Sequence, residues 1–262
     1  MPAIKLSPEL SEDAELLFGA VREAGSLALT LFQQNVRSWN KADGSVVTQA
    51  DLAVDEFLKS ALHDKRPSYG WLSEETADSA ARLSCRRLWI VDPIDGTRSF
   101  ASGGDEWCVG AALIEDGRPI LAALYRPVGQ AFYCAAKHHG AFRNDLPMQP
   151  RDGISVAGAS LIGTGKALKA VTGVVASATP NIPLLLRLAH VAAGQADIAL
   201  SFGFKNDWDL AAGDLLVTEA GGRVSQLDGK EMIYNQPRPA QFGMVAAGKL
   251  RHSAVLAQLE AI

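Results

Sequence analysis

The chain is poor in cysteine and in aromatic residues, and it has no excess of basic charge. Its three cysteines (Cys85, Cys108 and Cys134) are odd in number and lack the spacing of metal ligands, which argues against a disulfide framework and favours a reducing compartment. The formal net charge of −4 excludes the broad basic surface with which proteins bind a nucleic-acid backbone. We therefore expect no nucleic-acid partner, and any phosphate recognition should be local.

Long apolar runs and internal repeats are also missing. No run is long enough to span a membrane, and residues 1–12 lack the basic region and apolar core of a signal peptide. We therefore expect a cytoplasmic protein with no membrane partner. What is present is the composition of a folded protein, with 48% hydrophobic and 21% charged residues in 262 positions. That length fits one large domain or two small ones that share a core.

The hydrophobic pattern changes along the chain near residue 147. Before that point it predicts a long amphipathic helix from Ser7 or Ser11 to Phe32, a second helix capped by Thr48, and an antiparallel meander over residues 107–135. After it, short strands alternate with helices. The sequence thus predicts an α+β part over residues 1–147 and an α/β part over residues 148–262, with one cleft between them.

The most informative stretch is Asp92-Pro93-Ile94-Asp95-Gly96-Thr97. It follows Leu88–Val91, an apolar run that predicts a buried strand ending at Asp92 because proline cannot continue a ladder. Gly96 permits an unusual backbone conformation, and Thr97 is a good N-cap for a helical turn that reaches Phe100. Two carboxylates beside free backbone N–H groups indicate a site for Mg²⁺ and phosphate rather than a solvated turn.

Three other acidic segments have both a structural and a functional interpretation. Asp51 lies in the first turn predicted after Thr48, where a carboxylate stabilises the helix dipole. Glu74 and Glu75 end an apolar run and have the pattern of a solvated charge pair. Asp207 and Asp209 fit the N-cap and first turn of a helix that ends at Glu219.

These segments resemble the motifs of the inositol monophosphatase superfamily. Residues 92–97 match its D-P-x-D-G-T signature, residues 47–51 match V-T-x-x-D, Glu74-Glu75 matches its E-E motif, and residues 208–213 match W-D-x-A-A-G. The resemblance implies a layered αβαβα sandwich and a magnesium-dependent, lithium-sensitive phosphatase, expected as a homodimer. Five carboxylates around one cavity would repel each other strongly without cations, which agrees with a site that holds several Mg²⁺ ions.

The resemblance also assigns roles to individual residues. It implies that two or three magnesium ions are coordinated by Glu74, Asp92, the Ile94 carbonyl, Asp95 and Asp209. The Gly96 and Thr97 amides would bind the phosphate, with Asp209 also facing the substrate. Glu74 and Thr97 would position the attacking water, and Asp51 would support Thr97.

The substrate, a small phosphorylated molecule, is less constrained than the reaction. Phe202 stands where inositol monophosphatases carry an acid that contacts inositol, and residues 72–75 and 104–112 are more similar to the bacterial CysQ-type 3′(2′),5′-bisphosphate nucleotidases. On that resemblance Phe202 faces an adenine and Lys205 a second phosphate, although core packing and a solvated charge explain these residues equally well. Inositol 1-phosphate, fructose 1,6-bisphosphate and histidinol phosphate remain alternative substrates, and a non-catalytic regulatory binding protein remains an alternative function.

Overall fold

The structure, a computed structural model, describes residues 6–34, 36–42, 44–176 and 182–260. Within them, the helices are α1 (Pro8–Gln33), α2 (Gln49–Leu58), α3 (Thr97–Ala101), α4 (Gly165–Ala170), α5 (Leu184–Ala192), α6 (Ala211–Glu219) and α7 (Lys249–Leu259). The first strands are β1 (Ser38–Asn40), β2 (Val46–Thr48), β3 (Gly70–Ser73), β4 (Arg87–Asp95), β5 (Cys108–Glu115), β6 (Arg118–Arg126), β7 (Ala131–Ala136), β8 (Ala141–Arg143) and β9 (Leu146–Pro147). The later strands are β10 (Ser160–Ile162), β11 (Val175–Ala176), β12 (Ile198–Asn206), β13 (Gly222–Ser225) and β14 (Ala240–Gly248). None of the helices in these ranges has both the length and the apolar character needed to cross a bilayer.

Two large sheets organise the molecule into five layers. A seven-stranded sheet has the order β3-β4-β5-β6-β7-β8-β9, and a five-stranded sheet has the order β11-β10-β12-β14-β13. Helices α1 and α2 cover one face of the first sheet, while α5 and α6 pack between the two sheets and α4 and α7 cover the far face of the second. This arrangement confirms the predicted αβαβα sandwich.

The two-part division predicted near residue 147 coincides with the change of sheet. The seven-stranded sheet ends with β9 at Pro147, and the five-stranded sheet begins with β10 at Ser160. One core cluster nevertheless draws buried side chains from both sheets and from α5 and α6. The division of the chain into two separate units, residues 1–147 and 148–262, therefore stays a prediction.

The two predicted N-terminal helices are present and start where the sequence indicated. The Ser7 hydroxyl accepts a hydrogen bond from the Leu10 amide at 3.4 Å at the start of α1. At the start of α2, the Thr48 hydroxyl accepts from the Ala50 and Asp51 amides, and the Asp51 carboxylate accepts from the Thr48 amide at 2.8 Å. This reciprocal capping box fixes the position of Asp51 at the base of the helix.

The strand predicted to end at Asp92 is longer than expected. β4 continues through Pro93 to Asp95, and its pairing with β5 shifts between Asp92 and Asp95. Three steps along β4 (Asp92 to Asp95) oppose two along β5 (Gly110 to Cys108), so one extra residue forms a bulge. Residues three apart in a regular strand point to opposite faces, and the extra residue allows Asp92 and Asp95 to point the same way.

Two predicted helix caps are wrong. Gly96, at a φ of +100°, occupies the N-cap of α3, and Thr97 is its first helical residue. Helix α6 begins only at Ala211, and Asp207 does not cap it, because the Asp207 carboxylate accepts from the Asn235 amide and the Gln241 side chain. The Thr97 hydroxyl and the Asp207 carboxylate both bond to residues distant in sequence, and a local sequence pattern does not reveal such contacts.

Gly213 lets the two central helices approach each other. A Cβ atom at this position of α6 would lie 2.6 Å from the Cβ of Leu188 in α5. Gly19, inside α1, has open space at the same position.

We expect Gly213→Ala to lower the free energy of unfolding by about 1–2 kcal/mol, because overpacking outweighs the gain in helix propensity. The matched variant Gly19→Ala should raise it by about 0.5–1 kcal/mol, since only the propensity gain applies. Urea unfolding of both proteins measures the difference. A Gly213→Ala protein as stable as the wild type would show that the α5–α6 contact is looser than the structure indicates.

Candidate active site

Three acidic side chains from two sheets converge on one point. Carboxylate oxygens of Asp92, Asp95 and Asp209 all lie within 4.8 Å of one another. Asp92 and Asp95 come from the bulged end of β4, and Asp209 comes from the turn between β12 and α6. Oxygen ligands at this spacing suit a hard cation such as Mg²⁺.

Asp92 is the most constrained member of this triad. It is buried, and its Oδ1 atom has no hydrogen-bond partner among the described residues. Burial raises the pKa of Asp92 well above its usual range, and the neighbouring Glu74 and Asp95 raise it further. A buried carboxylate oxygen without a donor is costly unless a cation binds it, so the residue fits a metal ligand.

Asp95 connects the two sheets through a helix end. Its Oδ2 atom accepts a hydrogen bond from the Leu185 amide at 2.6 Å, in the first turn of α5, where no side chain of α5 supplies a cap. Burial raises the pKa of Asp95 to about 7, and Asp209 contributes to this shift. Burial likewise raises the pKa of Asp209 to about 6, although the Asn206 amide, which donates to Asp209 at 2.8 Å, lowers it.

Glu74 lines the same cavity but lies outside the triad. Burial raises the pKa of Glu74 to about 8, against the opposing effect of the Lys41 ammonium 3.8 Å away. Lys41 is closer to Glu75, at 2.6 Å. The sequence did not single out Lys41, because its position opposite the two glutamates arises only in the folded chain.

The segment that carries Glu74 is fixed from below by Asp55. The buried Asp55 carboxylate accepts hydrogen bonds from the hydroxyls of Ser73 and Thr76, which flank the two glutamates. These contacts hold both ends of the turn on α2. Sequence reasoning missed Asp55, because an acid in the middle of an amphipathic helix has no distinguishing pattern.

Thr97 is held by Asp51, as the resemblance implied. The Thr97 hydroxyl lies 2.9 Å from Asp51 Oδ1 and 2.9 Å from the Ile94 carbonyl oxygen. It has one proton, and the carboxylate is the stronger acceptor. Asp51 thus caps α2 with Oδ2 and accepts from Thr97 with Oδ1. Its structural interpretation is confirmed, and its part in the reaction stays a prediction.

The turn at Gly96 forms one wall of the cavity. A Cβ atom at Gly96 would lie 2.7 Å from the Glu106 carbonyl oxygen and 2.8 Å from the Pro183 ring, so only glycine fits. The amides of the first turn of α3 have no carbonyl partner within that helix, which suits an anion. The cavity measures about 600 Å³, and its lining includes Glu74, Asp92, Ile94, Asp95, Gly96, Thr97 and Asp209.

Two cations, Lys205 and Arg187, also line the cavity. The Lys205 ammonium donates to the carbonyls of Phe202 and Phe204, both at 3.1 Å, and its charge lowers the pKa of Asp209. The Arg187 Nε donates to the Ile182 carbonyl at 2.7 Å. Burial lowers the pKa of Arg187, and the charge of Asp95 opposes this shift. The sequence pointed to Lys205 but not to Arg187, which lies among the leucines of α5.

The structure does not support the adenine contact expected of Phe202. Its ring packs against a core cluster of β10, β12 and α7, with the Lys166 ammonium 4.6 Å from the ring centroid. Phe202 is not among the described residues that line the cavity. Phe202 lies within the irregular part of β12, where pairing with β14 shifts between Ser201 and Phe204, whereas Lys205 lies beyond it in regular pairing. Alternation along the strand therefore does not relate the directions of the two side chains.

The raised pKa values predict how the metal-free protein responds to pH. Because the pKa values of Asp209, Asp95 and Glu74 are raised to about 6, 7 and 8, ionising these groups costs stability as the pH rises through that range. A cation that neutralises them should restore it. We expect saturating MgCl₂ to raise the melting temperature more at pH 8 than at pH 6. Differential scanning fluorimetry with and without EDTA measures this increment.

The matched control is Asp214→Asn. Burial raises the pKa of Asp214 also to about 6, but its carboxylate bonds to Tyr234 and does not line this cavity. That variant should keep the whole magnesium increment, whereas Asp92→Asn should lose most of it. An increment that does not depend on pH would mean that these carboxyls are not the ligands.

The chain matches known proteins over most of its length. The profile of the inositol monophosphatase family matches residues 9–262. The chain is 34% identical to the inositol-1-monophosphatase of Mesorhizobium japonicum, over 82% of each chain. It is 33% identical to the 3′(2′),5′-bisphosphate nucleotidase CysQ of Escherichia coli K12, over 74% of this chain and 82% of that protein.

Solved structures have the same fold. The extragenic suppressor protein suhB of Bartonella henselae superposes with a TM-score of 0.81 at 25% identity, covering 94% of this chain and 97% of the other. The 2′AMP-bound form of inositol monophosphatase II from Staphylococcus aureus superposes with a TM-score of 0.79 at 22% identity, covering 97% and 95%. With the profile match and the carboxylate triad, these similarities lead to one conclusion: the chain belongs to the inositol monophosphatase family, a family of magnesium-dependent phosphoric monoester hydrolases.

Proposed function

We propose that this protein is a 3′(2′),5′-bisphosphate nucleotidase that hydrolyses adenosine 3′,5′-bisphosphate to AMP. The observation that carries the reaction is the convergence of Asp92, Asp95 and Asp209 beside the Gly96–Thr97 turn. In this proposal about two or three Mg²⁺ ions are held by these three acids, Glu74 and the Ile94 carbonyl. The Gly96 and Thr97 amides bind the phosphate, and Asp209 faces the substrate from the other side.

The side chains around the phosphate share the proton chemistry. When bound, magnesium supplies a Lewis acid that polarises the phosphate and lowers the pKa of water. Thr97, whose proton is directed to Asp51, presents its oxygen lone pairs to the water. Glu74 takes a proton from the water as its oxygen attacks phosphorus. The ester P–O bond breaks, its electron pair stays with the alcohol oxygen, and that oxygen takes up a proton from solvent water, while Glu74 later returns its proton to solvent.

The choice of a bisphosphate rests on Arg187 and Lys205. Both line the cavity that contains the Gly96–Thr97 turn, and neither pairs with an acid through a salt bridge among the described residues. A monophosphate held at the turn leaves these two cations unused, whereas a second phosphate group satisfies both. Inositol 1-phosphate is the second candidate substrate, because an inositol-1-monophosphatase and a nucleotidase are about equally similar to this chain. Lithium inhibition, a homodimeric state and a cytoplasmic location belong to the same proposal.

The reaction is tested with a panel of phosphate esters. With MgCl₂, we expect phosphate release to be fastest from adenosine 3′,5′-bisphosphate, followed by inositol 1-phosphate, fructose 1,6-bisphosphate and histidinol phosphate, and to be inhibited by LiCl. Asp92→Asn should lower kcat by roughly 1,000-fold or more, because it removes a ligand of the metal ions that stabilise charge in the transition state. The circular dichroism spectrum of the variant should match that of the wild type. No release from any ester would favour the non-catalytic binding protein, and near-normal turnover by Asp92→Asn would contradict the assignment of that residue.

The second phosphate is tested with the two cations. Arg187→Gln and Lys205→Gln should each raise the KM for adenosine 3′,5′-bisphosphate by roughly 10-fold or more, the loss expected for a charge-assisted hydrogen bond, and leave the KM for adenosine 3′-monophosphate within about 2-fold. Arg238→Gln is the matched control, because Arg238 stacks on Phe204 and does not line the cavity. Equal effects on both nucleotides would remove the argument for a bisphosphate.

A further inference from the structure

A cavity of about 690 Å³ lies at the other end of α6 from the acidic triad. The segment before α6 carries Asp209 of the triad, whereas the C-terminal half of the helix, from Asp214 to Glu219, lines this cavity. The other walls come from β13, the start of β6, the β7–β8 turn and the start of α7. Among the described residues, none lines both this space and the cavity of the triad. The space, here called the distal cavity, is therefore separate from the active site.

The acidic side chains of the distal cavity already have partners. The Glu219 carboxylate accepts from two backbone amides of the β7–β8 turn, at 2.9 and 3.0 Å. Asp214 accepts from the Tyr234 hydroxyl at 2.8 Å. Glu231 forms a salt bridge with Arg118. The negative charges of this lining are thus held by groups of the fold itself.

Three basic side chains of the distal cavity, by contrast, have no acidic partner. Lys137, Arg223 and Lys249 line it, and none of them forms a salt bridge among the described residues. The only acceptor of the Arg223 side chain in that part of the chain is the Gly229 carbonyl, at 3.4 Å. All three are exposed, so a ligand can reach them from solvent. Like charges around one space repel each other, and a bound anion removes this cost.

Apolar side chains form much of the remaining wall. Leu215, Val224 and Met232 line the distal cavity and are buried. Leu250, in the first turn of α7, also lines it and has an exposed fraction of 57%. Cavities of about 300–1,000 Å³ hold ligands of the size of a drug molecule, and a free phosphate ion would fill only a small part of such a space. The lining therefore favours an anion that carries an apolar group.

We propose that the distal cavity binds a small organic phosphate, with the phosphate group held by the three cations and the apolar part packed on the leucine and methionine side chains. Guanidinium and ammonium groups both donate to phosphate oxygens. A phosphate monoester carries about −1.5 to −2 charges at neutral pH, which suits several cations better than a single carboxylate does. This inference goes beyond the proposed function. The triad is the only set of acids spaced for a cation among the described residues, so the distal cavity binds its ligand without hydrolysing it.

Pyridoxal 5′-phosphate is a suitable probe, because it joins a phosphate to a flat ring that has an aldehyde. The aldehyde condenses with a lysine amine and releases water, borohydride reduces the imine to a stable amine, and peptide mass spectrometry locates the label. With MgCl₂ present, we expect Lys137 or Lys249 to be labelled roughly 10-fold or more above Lys169, the gain expected for a charge-assisted hydrogen bond to the phosphate. Lys169 is the internal control, since it is exposed and lines neither cavity. Pyridoxal, which lacks the phosphate, should show no such preference.

A variant tests the third cation. Arg223→Gln should lower the preferential labelling roughly 10-fold, because it removes one charge-assisted contact with the phosphate. Arg238→Gln, which changes an arginine that lines neither cavity, should leave it as in the wild type. Equal labelling of all three lysines in the wild type, or an unchanged preference in Arg223→Gln, would overturn the proposal.

Competition separates an organic ligand from free phosphate. Phenylphosphonate, whose P–C bond a phosphatase does not hydrolyse, should protect the labelled lysine at lower concentration than inorganic phosphate does. Equal protection by the two would show that the apolar wall selects nothing, and the organic ligand would be wrong. Labelling should persist in EDTA, since the distal cavity needs no metal ion. Loss of labelling in EDTA would place the probe at the acidic triad and overturn the proposal, whereas failure of the phosphate-release panel would concern the proposed function alone.

Discussion

Electrostatic repulsion among buried acids is the constraint on which this structure depends. Asp92, Asp95 and Asp209 converge within 4.8 Å, and Glu74 lines the same cavity. Burial raises the pKa of every one of these groups, so their ionised forms are unfavourable when no cation is bound. The protein holds them together through backbone features that cannot relax easily, including the bulge in β4 and the tight turn at Gly96. Without a cation, these ionised acids therefore lower the free energy of unfolding, and this cost accompanies an arrangement suited to binding a cation.

The basic side chains around these acids come from different parts of the fold, and they do not form one salt bridge for each acid. Lys41 approaches Glu74 and Glu75 from the β1–β2 hairpin, while Arg187 and Lys205 approach from the second sheet and its helix. The charges of Arg187 and Lys205 act on Asp95 and Asp209 without a salt bridge among the described residues. The cavity thus combines acidic and basic side chains, which suits an anionic substrate that meets metal ions at its reacting end.

The parts that sequence could predict are those governed by local pattern. The capping box at Thr48 and Asp51, the long amphipathic α1 and the meander of β5, β6 and β7 follow from periodicity and cap chemistry, and the structure contains all of them. The end of β4 was predicted too early, because a proline in a strand signals termination and a bulge leaves no separate signature. Asp55 and Arg187 were not predicted, since their places beside the site depend on contacts with residues distant in sequence. Phe202 was misplaced because strand alternation fails across the irregular part of β12.

The hydrogen bond from the Leu185 amide to Asp95 has a mechanical consequence. Asp95 ends a strand of the first sheet, and Leu185 lies in the first turn of a helix between the sheets, so one carboxylate of the triad also caps a helix of another layer. Any sliding of the layers past each other changes the geometry of the triad. The triad draws Asp92 and Asp95 from the first sheet and Asp209 from the segment after β12 of the second. A cation bound by all three would therefore restrain the two sheets against each other.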